Sequence, residues 1–231
     1  GRNYIVYGND EIWITELNED LTAPKKDGLH RLLVSDHKNP ELGYEGSHIQ
    51  KINGYYYIFL VHSLRDRWMR TEACFYSDSL EGEFTGGDVL CDDRGYCGQG
   101  VAQGGIVDTP DGKWYAMLFQ DSGAVGRIPI LLPVTWKDHF PFFGQNGHVP
   151  EEIEVHSTRP GYIYQPLVGS DDFCNGLLPR WQFNHDPDPR YYHLDALQGT
   201  YTITTREVCT ELTQAVNTLT QRMSYPSCAA E

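Results

Sequence analysis

Residues 44–59 read Tyr-Glu-Gly-Ser-His-Ile-Gln-Lys-Ile-Asn-Gly-Tyr-Tyr-Tyr-Ile-Phe, two short runs hinged on Asn53-Gly54. Both hinge residues tolerate positive φ, so the pair predicts a two-residue turn joining antiparallel strands over 48–52 and 55–61. Ahead of this hairpin stands one carboxylate, Glu45, between Tyr44 and the flexible Gly46. A carboxyl group at the mouth of a strand, in a partly apolar and aromatic-lined cleft, gains proton affinity. That suits a general acid working near neutral pH. An exposed turn glutamate is the commoner situation for such a residue, and the rest of the chain has to decide between the two.

The chain has 231 residues, enough for one large all-β unit or one and a half smaller ones. Its net charge of -14 argues against nucleic acid or an anionic membrane as partner, because phosphate binding calls for clustered Lys and Arg. A chain with 15 Tyr and 5 Trp but little positive charge suits flat neutral rings such as sugars, although sheets favour aromatics on their own account. No apolar run approaches the roughly 20 residues of a membrane span. Six cysteines, at Cys74, Cys91, Cys97, Cys174, Cys209 and Cys228, lack the paired spacing of a zinc site. Cys91 and Cys97 bracket a turn-rich segment, which leaves open a local disulfide in an oxidising compartment or two free thiols. The chain begins without Met or a signal-peptide pattern, so the start of the gene product is expected upstream.

Away from the opening hairpin, short apolar runs alternate with Gly, Asp, Asn and Pro, and almost no segment holds a helical period. Strands are expected over 3–7 and 11–16, with 18–27 as a surface connection, and over 71–77. The plan repeats over 104–109 and 113–119 around Pro110-Asp111-Gly112, and a further strand is expected over 129–136. Four-stranded modules repeating strand, turn and strand read as propeller blades. The stretch from 140 to about 170 is expected to be a connection. Residues 171–231 change character and fit a β-sandwich. The expected division is 1–165 as propeller and 171–231 as sandwich.

The words Tyr44-Glu45-Gly46-Ser47-His48, Gln103-Gly104-Gly105, Asp111-Gly112-Lys113-Trp114-Tyr115, Gly126-Arg127 and Pro133-Val134-Thr135-Trp136, in this order, resemble glycoside hydrolase family 43. Trp181-Gln182-Phe183-Asn184-His185 and Asn217-Thr218-Leu219-Thr220 look like the concanavalin A-like β-sandwich appended to β-xylosidase-type members. The resemblance covers nearly the whole chain. It implies an all-β fold, part of a five-bladed β-propeller followed by the start of the sandwich. It also implies an inverting reaction run by three acidic residues, with Glu45 as the general acid. An inverting pair stands roughly 6.5–9.5 Å apart so that sugar and water fit between. Gly1-Arg2-Asn3-Tyr4 resembles the remainder of a turn that follows the family's orienting aspartate, and the base lies earlier still. The catalytic set of this chain is therefore expected to be incomplete, the chain by itself nearly inactive, and its opened ring prone to associate through strand edges.

Arg127 matches a family arginine that contacts the terminal sugar, and a guanidinium offers forked hydrogen bonds to hydroxyls; the alternative is a rim arginine in a surface ion pair. Gln103 falls where many relatives carry a histidine associated with a central calcium. Its amide could meet calcium or a sugar hydroxyl, so no cofactor is required, a structural calcium stays open and no metal ligand is assigned. His48 alternates with Gly46 along the strand and is a third candidate sugar contact, against the commoner structural histidine. Asp121 is expected to form a turn, Trp114 and Trp136 to lie in the core, and the segment 185–188 to be a rigid loop rather than a metal cluster. The expected partner is a xylan or arabinoxylan-type oligosaccharide, met outside the cell. A non-catalytic carbohydrate-binding or interaction module is the competing reading.

Overall fold

The computed structural model describes residues 1–223 and residue 229, so Cys228 lies outside the described residues. The chain divides into two units, residues 1–155 and 156–231. The change of unit falls at Val155, before the expected connection has ended.

The first unit holds three antiparallel sheets in which strands pair in chain order. The first contains β1 (Asn3–Asn9), β2 (Glu11–Leu17) and β3 (His30–Ser35). The second contains β4 (Glu45–Ile52), β5 (Tyr55–Ser63), β6 (Arg70–Ser77) and β7 (Thr85–Leu90). The third contains β8 (Ala102–Asp108), β9 (Trp114–Asp121), β10 (Arg127–Lys137) and β11 (Phe140–Phe143). Successive up-and-down sheets of this kind are propeller blades, and the unit is part of a β-propeller. Asn53 and Gly54 take φ of 50° and 93°, the left-handed pair that a tight turn between β4 and β5 requires.

β5 explains how the sheets stack. Every residue from Tyr57 to Ser63 is buried, and the apolar run from Tyr57 to Val61 needs cover on both faces. Alternation divides it: Tyr57 and Phe59 enter a core with Ile106, Leu118 and Leu132 of the third sheet. Ile58 and Leu60 enter a second core with Ile12, Ile14 and Leu33 of the first. The middle sheet is thus clamped between its neighbours. Ser47 Oγ donates to the carbonyl of Val6 at 3.2 Å and Gln50 Nε2 to that of Ile106 at 2.9 Å, so β4 is tied to β1 on one side and to β8 on the other. Outward faces remain exposed at Ile5 and Tyr7 in the first sheet and at Val107, Met117 and Phe142 in the third.

Three strands escape the sequence reading. β7 carries Gly86-Gly87, which reads as a breaker; a Cβ on Gly86 would stand 2.0 Å from the carbonyl oxygen of Cys74, so this close approach of β7 to β6 needs glycine. β11 contains Pro141 but is the edge strand of its sheet, where a missing N–H is tolerated. The segment 140–143 is therefore strand and not connection. β3 is short and only partly buried. Cys91 and Cys97 are both free thiols, as are Cys74, Cys174 and Cys209. Cys91 Sγ instead accepts a contact from Thr71 Oγ1 at 3.4 Å, while Cys97 sits exposed in a loop at φ 51°.

The described part of the second unit consists of two two-stranded ladders, β12 (Gln182–Phe183) with β15 (Leu219–Thr220) and β13 (Tyr192–Asp195) with β14 (Thr200–Ile203). Asn217, 1% exposed, exchanges hydrogen bonds with the backbone of Asp188 at 2.8 and 3.0 Å and fixes the loop that contains the 185–188 segment. Among the described residues no helix is long and apolar enough to cross a membrane.

Two-faced burial of β5 gives a direct expectation. Leu60→Ala should cost about 3 kcal/mol, the usual loss for a large buried aliphatic side chain, whereas Ile5→Ala on the exposed face should stay within about 0.5 kcal/mol. Urea unfolding of both variants measures the difference.

Candidate active site

Register brings the candidate residues to one end of the sheets. Glu45 opens β4 opposite Val61, Val61 pairs with Glu72, and Glu72 pairs with Leu90. In the third sheet Ala102 pairs with Phe119 and Arg127 with Asp121 at the corresponding end. Paired residues share a sheet face, so Glu45, Val61 and Glu72 form one row on the side that faces the third sheet, the side taken by Phe59.

Two irregularities then shape the site. The ladder slips between Glu45 and His48, and again between Ala102 and Gly105, the signature of β-bulges that re-aim side chains. Gly46 has φ 62°, and a Cβ there would stand 2.4 Å from Gln103 Nε2. Glycine at 46 is what lets the Gln103 amide lie against the main chain beside Glu45. Gln103 itself has φ 69°, a strained value for a non-glycine residue. The strained amide is held by Glu72, whose Oε2 accepts the Gln103 N–H at 2.6 Å.

Glu45 is half-buried, and its Oε2 accepts a hydrogen bond from Asn9 Nδ2 at 3.0 Å. Tyr44 turns away from it and packs, tilted and edge-on, with its ring centre 5.0 Å from that of His62 and 5.4 Å from that of Phe75, so the aromatic wall read into the sequence beside Glu45 does not come from Tyr44. Glu72 is fully buried with Oε1 unpartnered. Burial pushes its carboxyl well above the ordinary carboxylate range, against the opposing pull of the Gln103 N–H and Arg70, so burial favours the protonated form of Glu72.

Arg70 and Arg127 bracket a single aspartate. Arg70 Nη1 lies 3.0 Å from Asp121 Oδ2 and Arg127 Nε lies 3.3 Å from Oδ1. Their guanidinium carbons stand 4.7 and 4.4 Å from the centre of the Phe119 ring, a cation–π arrangement from both arginines. The first contact is an ion pair off the hydrogen-bond line, since Arg70 Nη1 has no aligned acceptor. Exposure separates their roles: the Arg70 side chain is 4% exposed and Arg127 63%, so Arg127 is the one that can reach a ligand. Burial lowers the proton affinity of Arg70, which Asp121, Glu72 and Glu45 partly restore.

The fold therefore joins Glu45, Gln103 and Arg127 through Gly46, Glu72, Arg70 and Asp121. His48 is exposed on β4 next to Gly105, where a Cβ would meet its Nδ1 at 3.3 Å. Asp121 is an ion-pair partner at the end of β9, not a turn former. Asn9, Arg70 and Glu72 escape the sequence reading. Arg70 and Glu72 did leave a signal, two charges at alternate positions of an apolar strand, which must share a face and find partners. Calcium takes six to eight oxygens, and among the described residues no group of three or more His, Cys, Asp or Glu could hold a metal. Gln103 adds one amide oxygen beside Glu45.

The carboxyl group of Glu45 and the exposed guanidinium of Arg127 thus stand at the same end of two neighbouring blades. The chain belongs to the glycosyl hydrolases family 43, whose model matches residues 1–141. A solved structure of the bifunctional GH43-CE of Bacteroides eggerthii superimposes with a TM-score of 0.81 and 40% identity, covering 98% of this chain and 29% of that one. A β-xylosidase of Formosa agariphila is 28% identical over 179 residues, 68% of this chain and 30% of its own. A non-reducing-end α-L-arabinofuranosidase of Bacteroides ovatus is 26% identical over 170 residues, 67% of this chain and 31% of its own. The chain spans about three tenths of the length of these curated relatives.

Glu72 makes the site pH-sensitive in a definite direction. Its folded-state proton affinity exceeds that of the unfolded chain, so its contribution to stability is complete below an ordinary glutamate pKa of about 4.3 and declines as pH rises toward its folded value. Glu72→Gln keeps an oxygen for the Gln103 N–H and cannot ionise. Relative to wild type it should gain up to about tenfold in folding constant per pH unit above that point and be indistinguishable near pH 4. Urea midpoints at pH 4 and pH 8 provide the check.

Proposed function

We propose that this chain supplies the general acid for hydrolysis of O-glycosidic bonds in xylose- or arabinofuranose-containing plant polysaccharide. The observation that carries the reading is Glu45 at the head of β4, oriented by Asn9 and backed by the Gly46–Gln103 contact. In the reaction the Glu45 proton passes to the glycosidic oxygen as its bond to the anomeric carbon breaks. Water adds to that carbon from the opposite face, with inversion, and gives its proton to a base. Arg127 and Gln103 donate hydrogen bonds to sugar hydroxyls, and His48 stands further along the same strand. The names of the Formosa and Bacteroides ovatus relatives support a pentose substrate, and a polymer of that kind is met outside the cell.

The base is the discriminating part. Glu72 shares the row of Glu45 but is fully buried away from water, and Asp121 is committed to two arginines. Neither suits the removal of a proton from water. In this reading the base and the carboxylate that orients the acid are not among the described residues that line this site. The same observation gives weight to the second reading, a module that recognises carbohydrate without cleaving it.

The purified 231-residue chain is expected to turn over aryl β-xylosides and aryl α-L-arabinofuranosides no faster than its Glu45→Gln variant, while still binding the corresponding sugars. Robust turnover by the wild-type chain that disappears in Glu45→Gln would overturn the missing-base part of the proposal. Sugar binding unaffected by either Glu45→Gln or Arg127→Ala would overturn the site itself.

A further inference from the structure

The loops that follow β5 and β7 emerge at the same end of the sheets as Glu45, because Glu45 pairs with Val61 and Glu72 with Leu90. Each presents a large aromatic ring to solvent there: Trp68 is 41% exposed and Tyr96 43%. Neither ring stands on slack chain. Ser63 Oγ accepts the Met69 N–H at 2.7 Å and donates to the Arg67 carbonyl at 3.2 Å, which closes the Trp68 loop on itself. In the other loop Asp93 accepts the N–H groups of Gly95 and Gly98 at 2.8 and 2.7 Å. The buried Gln120 side chain donates to the carbonyls of Asp93 and Gln99 at 2.6 and 2.9 Å.

The two loops are also locked to each other and to the turn that leads to Arg127. The Arg70 N–H donates to the Gly98 carbonyl at 3.0 Å. A Cβ on Gly98 would stand 3.1 Å from Trp68 Cδ1, and one on Gly123 would stand 3.4 Å from the Tyr96 hydroxyl. Trp68 therefore lies on the 92–99 loop, and Tyr96 reaches to the turn before Arg127. Exposed aromatic rings on hydrogen-bonded loops bind without a large ordering cost. Their faces suit the C–H face of a neutral sugar ring and their polar edges its hydroxyls. A net charge of -14 disfavours an acidic polymer on this rim.

We propose that Trp68 and Tyr96 form a stacking rim for sugar units of a neutral oligosaccharide beyond the one held at Glu45 and Arg127, so that this end of the propeller reads chain length. The proposal rests on the glycosidase reading of that site. It is tested by calorimetric titration of the 231-residue chain with linear β-1,4-xylo-oligosaccharides and α-1,5-arabino-oligosaccharides of two and six units. Wild type should bind the six-unit member of one series at least about fivefold tighter than the two-unit member, as one or two ring contacts would give. Trp68→Ala and Tyr96→Ala should each remove most of that gain without changing two-unit affinity. Trp68→Phe should keep it, which separates a lost ring from a misfolded loop. The proposal is overturned if wild type shows no length dependence or binds neither six-unit ligand, or if both alanine variants retain the gain. Arg127→Ala distinguishes the two readings: unchanged two-unit affinity there, with the aromatic variants still defective, defeats the site reading and leaves the rim standing.

Discussion

Burial of β5 on both faces is the constraint from which the rest of the first unit follows. Its alternate residues enter two different cores, so a slip of one position would exchange Phe59 for Leu60 and misfit both sides at once. That double requirement sets the register of β4 and β6 against β5. It thereby sets which residues of three strands stand in the row that contains Glu45 and Glu72. The position of the catalytic candidate is a consequence of core packing several residues away, and no contact made by Glu45 itself is needed to explain it.

Upon that row the site is assembled from departures from regular sheet. One bulge sits on each of β4 and β8, and they meet where Gly46 accepts Gln103. The strain of a non-glycine residue at positive φ is sustained by a short hydrogen bond to a buried carboxyl group. Ion pairing does the corresponding work on the other side, where one aspartate and one phenylalanine hold two arginines apart from each other. Such supports leave the half-buried Glu45 and the exposed Arg127 little freedom to relax. That is what positioned acid catalysis and hydroxyl recognition require.

Much of this was legible in the residue order and some was hidden for identifiable reasons. The Asn53-Gly54 turn is local chemistry, and so is the apolar run after it. Glu45, Gln103 and Arg127 stand in recognisable words. β7 and β11 were hidden because Gly86 and Pro141 act as breakers in most settings, and only a close neighbouring strand or an edge position makes them strand residues. The disulfide left open between Cys91 and Cys97 depended on sequence proximity, while the fold gives the Cys91 sulfur a hydroxyl partner and leaves Cys97 exposed. Tyr44 adjoins Glu45 in sequence and points elsewhere, since successive strand residues face opposite sides.

By itself the sequence determined the all-β class, the blade-like repetition and the family. Those properties are written in turn chemistry, in hydrophobic period and in short contiguous words. The tertiary structure decided that Arg70, Glu72 and Asp121 stand beside Glu45, Gln103 and Arg127, that Glu72 is buried with its proton affinity raised, and that Trp68 and Tyr96 share the rim with Arg127. Each of these depends on which strands become neighbours and on how far water is excluded between them. Burial and proximity across the chain set charge state and partnership, and neither can be read from adjacency in sequence.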